Sequence, residues 1–306
     1  NMGDIAMSVR RRVFISLTHD TYLDDRQNSV KWGIVQRVID AGYEPHMFFP
    51  AVPSRFAATV HREVPWTADK VREAVGGAVG AVMIGYPRWK YGDDAHASEF
   101  THYEAGVAHT TGIPMLMVLE QGIRWRGAFD QSSAQICEVP TDANESWLAS
   151  SYFEQCFSPW RREVDARFDI FLGYSSQSQG TAKNLKRVFV TKGARVLDWQ
   201  DFGPGTILEQ ITKAAACCTG GVFLFTADDA LEGDTGMAAP RDNVVFEAGY
   251  FVHAKGHRRV LVIRESGGKR SAKMPADLGG AIYAPLPDLA NIEALDQQLD
   301  RFVENL

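Results

Sequence analysis

The chain has 306 residues, which is enough for two domains that each bury a core of their own. Hydrophobic residues make up 45% and charged residues 23%, and the net charge is −6, so no overall field would attract nucleic acid or an anionic membrane. No apolar run approaches the roughly 20 residues of a membrane span. We therefore expect a globular protein with neither a nucleic-acid partner nor a membrane segment.

The first half of the chain alternates apolar strands with amphipathic helices. Continuous apolar runs predict the buried strands, and helical periodicity with capping residues predicts the helices between them. The predicted strands are Val13–Leu17, Glu44–Phe49, Ala78–Ile84 and Pro114–Leu119. The predicted helices are Ser29–Ala41, Ala68–Val75 and Ser98–His109, with Ser98 as the N-cap of the last.

The second half repeats this order. Thr206 and Glu209 form a T-x-x-E capping box, which marks the start of one helix clearly. The predicted strands are Asp169–Tyr174, Arg195–Asp198, Gly221–Phe225 and Arg259–Arg264. The predicted helices are Thr181–Lys192, Thr206–Cys217, Asp242–His253 and Asn291–Glu304.

Alternating apolar strands and helices predict an α/β protein with parallel sheets that are covered on both faces. We expect two tandem flavodoxin- or Rossmann-like domains. The predicted boundaries are 1–143 for the first domain, 144–167 for a helical connector and 168–306 for the second domain.

The cysteines and histidines give no sign of a disulfide framework or a metal site. The four cysteines lack both zinc spacing and a paired pattern, and the histidines considered do not pair at metal spacing. We therefore expect a reducing, cytoplasmic environment and no metal. The residues considered are Cys137, Cys156, Cys217, Cys218, His19, His102, His109 and His253.

A sequence repeat of about 150 residues carries the most informative pattern. Tyr103-Glu104-Ala105-Gly106 and Phe246-Glu247-Ala248-Gly249 stand on corresponding predicted helices. Such a repeat indicates two domains of one architecture and two candidate carboxylate sites.

Glu247 is the stronger candidate because apolar residues surround it on nearly all sides of its helix. A carboxylate in such a run is either paired or faces a cleft. Ligands of parallel sheets bind at the carboxyl ends of the strands. The residues that we expect to bind substrate there are Tyr174, Ser175, Ser176, Trp199, Phe202, Arg241 and Asn243.

Four segments of the second half carry a family resemblance: the strand Ile170–Ser176, the loop Asp198–Thr206, the block Pro240–Phe251 and the segment Met274–Gly280. With them, residues 168–306 resemble a bacterial Toll/interleukin-1 receptor (TIR) domain. More narrowly, they resemble TIR-like nucleotide-binding effectors of anti-phage signalling. The resemblance implies an NAD+ glycohydrolase that cuts the nicotinamide–ribose bond with Glu247 as the catalytic residue. It implies NAD+ as substrate, no cofactor, and activation by self-association into a homo-oligomer.

A single carboxylate suits that reaction. Nicotinamide leaves as a neutral ring from a pyridinium cation, so its departure needs no proton, and the carboxylate stabilises the positive charge on the ribose. Tyr174, Trp199 and Phe202 are expected to stack on the nicotinamide or adenine ring. Arg241 either meets the pyrophosphate or begins the helix.

In the first half, Glu99–Leu119 resembles the nucleoside 2-deoxyribosyltransferase pattern, in which a Glu holds or attacks the deoxyribose. This half departs from the second by a long insertion, Pro50–Trp66, and by the loop Arg88-Trp89-Lys90-Tyr91. The loop suits a phosphate-bearing aromatic base, although a surface loop without function fits it equally. We expect a second ligand site formed by Glu104, Arg88, Trp89 and Tyr91.

Three functions remain open from the sequence. The first is an NAD+-consuming effector whose N-terminal domain senses a cyclic or other nucleotide signal or drives assembly. The second is a TIR adaptor that only binds partners. The third is a nucleoside-metabolising transferase that works through Glu104. The sequence leaves open the activating signal and whether the product is ADP-ribose or a cyclised form.

Overall fold

The computed structural model describes residues 8–130, 135–201, 205–231, 233, 236–267, 269–275, 278 and 281–306. The chain divides into two compact units. The N-terminal unit is Arg11–Ala166, and the C-terminal unit is Arg167–Leu306 together with residues 8–10.

The N-terminal unit is a six-stranded parallel sheet with helices on both faces. In chain order its elements are β1 (Arg12–Ser16), α1 (Asp25–Asp40), β2 (Glu44–Phe48), β3 (His61–Glu63), α2 (Ala68–Gly76), β4 (Gly80–Gly85), β5 (Trp89–Tyr91), β6 (Asp94–His96), α3 (Glu99–Thr111), β7 (Met115–Glu120), β8 (Gln135–Val139) and α4 (Ser151–Ala166). The strand order is β3-β2-β1-β4-β7-β8, and β5 and β6 form a separate hairpin.

The C-terminal unit is a five-stranded parallel sheet, again covered on both faces. Its elements are β9 (Phe168–Tyr174), α5 (Gln179–Thr191), β10 (Val196–Asp198), α6 (Ile207–Cys217), β11 (Cys218–Phe225), β12 (Asp229–Ala230), β13 (Met237–Ala239), α7 (Asp242–Lys255), β14 (Val260–Glu265), β15 (Ser271–Ala272), β16 (Ile282–Leu286) and α8 (Asp296–Glu304). The strand order is β10-β9-β11-β14-β16, and β12, β13 and β15 form a small second sheet.

Both units follow one topology. In the N-terminal unit β1 lies between β2 and β4, and in the C-terminal unit β9 lies between β10 and β11. This is the order of flavodoxin-like sheets, in which ligands bind beside the first strand, at the point where the strand order reverses. The N-terminal unit adds β3 outside β2. The predicted α/β fold with two parallel sheets is therefore confirmed, and the reversal point predicts one cavity in each unit.

Buried apolar layers hold each sheet between its helices. In the N-terminal unit, α1 and α4 contribute to the core on one face, and α2 and α3 contribute to the core on the other. In the C-terminal unit, α5 and α8 cover one face while α6 and α7 cover the face that carries the candidate carboxylate. The apolar strand interiors predicted from the sequence thus form the centre of both units.

Residues 144–166, predicted as part of a connector, lie within the N-terminal unit. Helix α4 buries Phe153, Phe157 and Trp160 in the core of that unit. Pro159 inside α4 has no N–H to donate to the Gln155 carbonyl. The side-chain amide of Gln135 donates to that carbonyl instead, at 3.2 Å, and so joins the start of β8 to the helix.

Several boundaries differ from the prediction. Helix α1 begins at Asp25, four residues before the predicted start, because Asp24 and Gln27 form a capping box there. Strand β11 begins at Cys218, three residues before the predicted start at Gly221. Strands β3, β8 and β16 were not predicted. Among the described residues, no helix is long and apolar enough to cross a membrane.

Candidate functional site

A cavity of about 530 Å³ lies at the carboxyl ends of β9 and β10 in the C-terminal unit. The first turns of α6 and α7 close its other sides. This is the reversal point of the sheet, where the topology predicts a ligand. The residues that line it are Tyr174, Ser175, Ser176, Trp199, Ile207, Gln210, Ile211, Asp229, Arg241, Asp242, Asn243, Val244 and Glu247.

Glu247 is the sixth residue of α7 and lies half-buried at the cavity wall. Its helix neighbours Val244, Ala248 and Phe251 are buried in the core, which fixes the direction in which Glu247 points. Among the described residues, the Glu247 carboxylate has no hydrogen bond or ion pair, and burial alone raises its pKa from 4.5 to about 7. A carboxylate without a protein donor faces the space in which a ligand would bind.

Gly173 in β9 makes room for this carboxylate. A Cβ placed on Gly173 would lie 2.7 Å from Cδ1 of Phe223 and 2.9 Å from Oε2 of Glu247. Both distances are shorter than real side-chain contacts, so the position requires a residue without a side chain. Glu247 therefore lies directly against the backbone of β9.

The predicted aromatic residues form one wall of the cavity. Tyr174 is buried and donates its hydroxyl to Oδ1 of Asp198 at 2.8 Å. Burial and the Asp198 carboxylate raise the pKa of Tyr174. The ring of Trp199 meets the ring of Tyr174 edge to face, with 5.8 Å between centroids. Phe202, the third predicted aromatic residue, lies outside the described residues.

The two predicted serines differ in their surroundings. The Ser175 hydroxyl is buried and lies 3.2 Å from that of Ser178 and 3.4 Å from that of Thr226. Ser176 is exposed at the cavity edge and begins a short 3-10 helix. Ser175 thus belongs to a network that fixes the loop after β9, whereas Ser176 is open to a ligand.

Arg241 and Asn243 both line the cavity at the start of α7. Arg241 is the N-cap residue of that helix, and its Nη1 lies 3.0 Å from Oδ1 of Asp229. Both partners are about half exposed, so this ion pair is open to competition from a ligand anion. Both sequence-based interpretations of Arg241 therefore remain compatible with its position.

Six lining residues were not predicted from the sequence: Ile207, Gln210, Ile211, Asp229, Asp242 and Val244. Ile207 and Gln210 come from the first turns of α6, and Asp229 comes from the small sheet after β11. Ile207 and Gln210 are three residues apart, so they share a helix face directly after the predicted capping box. That spacing was the available signal, whereas nothing local in the sequence indicated Asp229.

A second cavity, of about 270 Å³, lies at the corresponding edge of the N-terminal sheet. Glu104 lines it and is 5% exposed. The indole Nε1 of Trp66 donates to Oε1 of Glu104 at 2.8 Å. Burial raises the pKa of Glu104 from 4.5 to about 7, and the Ser16 hydroxyl and the Trp66 indole oppose this rise in part. The N-terminal carboxylate is thus held by the Trp66 indole.

The predicted group Glu104, Arg88, Trp89 and Tyr91 is divided in the structure. Arg88 lines the cavity with Glu104, and its guanidinium carbon lies 3.4 Å from the ring centroid of Tyr22. Trp89 and Tyr91 belong to the exposed strand β5 and do not line this cavity. Trp89 donates its indole N–H to Oε2 of Glu99 at 2.9 Å. The hairpin therefore directs these two aromatic side chains away from Glu104.

The fold and the site define a flavodoxin-like domain with a half-buried carboxylate in the cavity at its reversal point. Residues 169–288 match the model of the family described as CAP12/Pycsar effector protein, TIR domain. The C-terminal unit thus contains a TIR domain, at residues 169–288, that is similar to the TIR domains of those effectors.

Two curated relatives share this region. The chain is 31% identical over 140 residues to CD-NTase-associated protein 12 of Lachnospiraceae bacterium (strain RUG226), covering 45% of this chain and 43% of the relative. It is 32% identical over 145 residues to the protein of the same name from Flavobacterium daejeonense, covering 45% of each chain. The chain thus spans less than half the length of these relatives.

Among solved structures, the CMP N-glycosidase BcmB of Clostridium botulinum matches 45% of this chain and 96% of its own length at 15% identity. Its TM-score is 0.26, which is too low to carry an argument about fold or function.

Proposed function

We propose that this chain is an effector of bacterial anti-phage signalling whose TIR domain hydrolyses the nicotinamide–ribose bond of NAD+ through Glu247. The observation that supports the proposal is the environment of the Glu247 carboxylate. This carboxylate is half-buried in a cavity of about 530 Å³, lies against Gly173, and has no hydrogen-bond donor among the described residues. Such a group is available to a cationic ligand.

The cationic nicotinamide ring fits this environment. A positive charge beside Glu247 favours the ionised carboxylate and so offsets the burial that raises its pKa. When the bond between ribose C1′ and the nicotinamide nitrogen breaks, its electron pair goes to the ring, which leaves neutral. The positive charge moves to the ribose, where the fixed carboxylate stabilises it.

Water completes the reaction. Its oxygen bonds to C1′, and it releases one proton, either to the Glu247 carboxylate or to solvent. Glu247 suits this role because its pKa of about 7 is close to neutral pH. The products are nicotinamide, ADP-ribose and a proton, and a cyclised product forms instead if a group of the same nucleotide attacks C1′.

Other cavity residues supply binding rather than chemistry. Trp199 and Tyr174 offer aromatic surfaces to a ring of the dinucleotide. Arg241 gains a pyrophosphate partner if Asp229 is displaced. These roles place the nicotinamide end at Glu247 and the phosphates towards the start of α7.

For the N-terminal unit, we propose nucleotide binding that controls the TIR domain. Its cavity of about 270 Å³ combines aromatic and apolar side chains with Arg88 and the held carboxylate Glu104. Pockets for drug-sized ligands measure roughly 300–1,000 Å³, so this one suits a base with its sugar better than a large cyclic oligonucleotide.

The test is release of nicotinamide from NAD+ by the full chain, measured by chromatography that also separates ADP-ribose from its cyclised form. Assays include a crowding agent and panels of cyclic mono-, di- and trinucleotides, because TIR enzymes act after self-association. We expect release that Glu247→Gln abolishes and Glu104→Gln retains at the highest activating nucleotide concentration.

Two results would oppose the proposal. Release that survives in Glu247→Gln removes the carboxylate from the mechanism. Absence of release under every condition, with a folded protein, favours the partner-binding adaptor. Base exchange on deoxynucleosides that Glu104→Gln abolishes would favour the transferase instead.

A further inference from the structure

Two histidines and a glutamate converge at the outer edge of the N-terminal sheet. His46 lies on β2, and His61 and Glu63 lie on β3. One ligand atom from each residue lies within 4.8 Å of the other two. Nε2 of His46 lies 3.9 Å from Oε2 of Glu63, and Nε2 of His61 lies 3.9 Å from Oε1 of the same carboxylate.

Strand pairing produces this cluster. His46 and His61 are direct partners in the parallel register of β2 and β3, and Glu63 is two residues beyond His61. Because side chains alternate along a strand, His61 and Glu63 point to the same face of the sheet. The two imidazole rings are 4.4 Å apart between centroids and nearly perpendicular. The backbone therefore presents all three ligand atoms to one point.

We propose that His46, His61 and Glu63 bind a Zn²⁺ ion. Imidazole nitrogen and carboxylate oxygen are ligands that Zn²⁺ prefers, and three protein ligands leave one position for water. Bond lengths of about 2.0–2.1 Å with tetrahedral angles place neighbouring ligand atoms roughly 3.3 Å apart. Each histidine lies 3.9 Å from a Glu63 oxygen, and the three ligand atoms lie within 4.8 Å of one another, so side-chain rotations of His61 and Glu63 would bring them to that separation.

Burial provides both rigidity and access. The His46 side chain is 8% exposed and packs near the rings of Phe14 and Phe48, which limit its movement. The side chains of His61 and Glu63 are 43% and 31% exposed, so an ion can enter from solvent. The site combines one fixed ligand with two that can close around the metal.

The ion would fasten β3 to β2. Strand β3 has only three residues and occurs within the insertion 50–66 that distinguishes this unit. Trp66, three residues after Glu63, donates to Glu104 in the cavity. A metal at the cluster thus fixes the segment that holds Glu104, and this role does not depend on NAD+ cleavage.

The experiment uses the full chain after treatment with a chelator. Equilibrium dialysis against Zn²⁺ counts bound ions, visible absorption with Co²⁺ reports tetrahedral coordination, and hydrogen exchange follows residues 61–66. For the wild-type chain we expect one equivalent of Zn²⁺, tetrahedral Co²⁺ bands and slower exchange of this segment on binding. His61→Asn and Glu63→Gln alter partly exposed side chains. Each should abolish binding of the Zn²⁺ equivalent and the slower hydrogen exchange of residues 61–66.

Two control variants locate the ion. His109→Asn changes an exposed histidine of the same unit outside the cluster and should keep the equivalent. Cys217→Ser/Cys218→Ser removes adjacent thiols whose sulfurs lie 4.0 Å apart and should also keep it. Binding that disappears with the thiols, binding unchanged in His61→Asn, or no stoichiometric binding to folded wild-type chain would each overturn the proposal.

Discussion

The two units place a glutamate at the same point of the same fold and treat it differently. Glu104 is the sixth residue of α3, and Glu247 is the sixth residue of α7. Burial raises the pKa of both carboxyl groups to about 7. Glu104 accepts a hydrogen bond from the Trp66 indole, whereas Glu247 has no donor among the described residues. The Glu104 carboxylate is therefore bound by a group of the protein itself, whereas the Glu247 carboxylate is available to a ligand.

The two glutamates differ in their surroundings because the sequences of the two units differ at two nearby positions. Aligning the opening strands, Val13 with Ile170, places Ser16 opposite Gly173, three residues further on in each. The Ser16 hydroxyl lowers the pKa of Glu104 but has no hydrogen-bond partner among the described residues, while Gly173 offers only space.

The second of these positions precedes the next helix. Trp66 stands directly before the N-cap Thr67 of α2, and Gly205 stands directly before the N-cap Thr206 of α6. An indole that donates at 2.8 Å in one unit is replaced by a residue without a side chain in the other. Differences at these two positions thus give the two glutamates of a repeated fold different chemical environments.

The largest expected effect is that of Gly173→Ala. The added Cβ would press on Phe223 and on the Glu247 carboxylate, so we expect a loss of about 1–3 kcal/mol in unfolding free energy. NAD+ cleavage should fall by about 100-fold or more, because displacement by ~1 Å costs that much at a catalytic group. Urea unfolding and nicotinamide release measure the two effects.

Gly180→Ala is the matched control, because a Cβ there would meet open space on α5. It should change neither quantity appreciably. Full activity in Gly173→Ala would show that the close fit between Gly173 and Glu247 is unimportant for function.

The pH dependence of cleavage sharpens the comparison. In the proposed mechanism, catalysis needs the ionised form of Glu247, whose pKa is about 7 in the free protein. We expect kcat/KM to fall about tenfold for each pH unit below 7 and to level off above pH 7. A stopped assay of nicotinamide release between pH 5 and 9 measures this profile. Glu104→Gln should leave its midpoint in place, and a midpoint shifted by that change would contradict the separation of the two sites.

The raised pKa of Glu104 should also make stability depend on pH. Its pKa in the folded protein is above the usual 4.5, so the folded protein holds a proton that the unfolded chain releases between pH 4.5 and about 7. The stabilising contribution is complete below pH 4.5 and is lost as pH rises through 7, at a cost of about 3 kcal/mol. Glu104→Gln keeps an acceptor for Trp66 and removes this charge.

Urea unfolding at pH 5 and pH 8 tests that expectation. The free energy of unfolding of Glu104→Gln, relative to the wild-type chain, should rise between the two pH values. Trp66→Phe removes the donor and should enlarge the wild-type loss at pH 8, because the buried carboxylate then lacks its hydrogen bond. An equal pH response in wild type and Glu104→Gln would mean that Glu104 is not the titrating group.

The smallest expected effects concern the two threonine caps. Thr67 and Thr206 each accept from a backbone N–H three residues on, at 3.3 Å in both cases. Thr67→Ala and Thr206→Ala should therefore lose about the same unfolding free energy, roughly 1 kcal/mol each. Thermal unfolding compares them. A loss confined to one variant would show that the two helix starts are not equivalent.

The sequence was sufficient for features that depend on local patterns. Continuous apolar runs predicted β1 and β9 to within one residue at each end. The repeat predicted both glutamates, and the capping box predicted the start of α6. These patterns depend on burial and backbone geometry over a few neighbouring residues, so they can be recognised in a single sequence.

Features that depend on distant pairing were not predictable. Strand β3 is polar and short, and it exists because β2 provides hydrogen-bond partners. Trp66 and Glu104 are 38 residues apart, and their contact appears only once α2 and α3 lie side by side. The cluster of His46, His61 and Glu63 was missed for the same reason, since its spacing along the chain matches no metal-binding motif.

Strand β3 also determines how the N-terminal sheet ends. An edge strand exposes unpaired backbone groups and can accept a strand from another molecule, and natural proteins block this with short, charged edges. The edge strand β3 has only three residues, His61, Arg62 and Glu63, and all three are polar. That edge resists growth of the sheet by strand addition, so it protects this unit from uncontrolled fibre formation in a protein proposed to act by self-association.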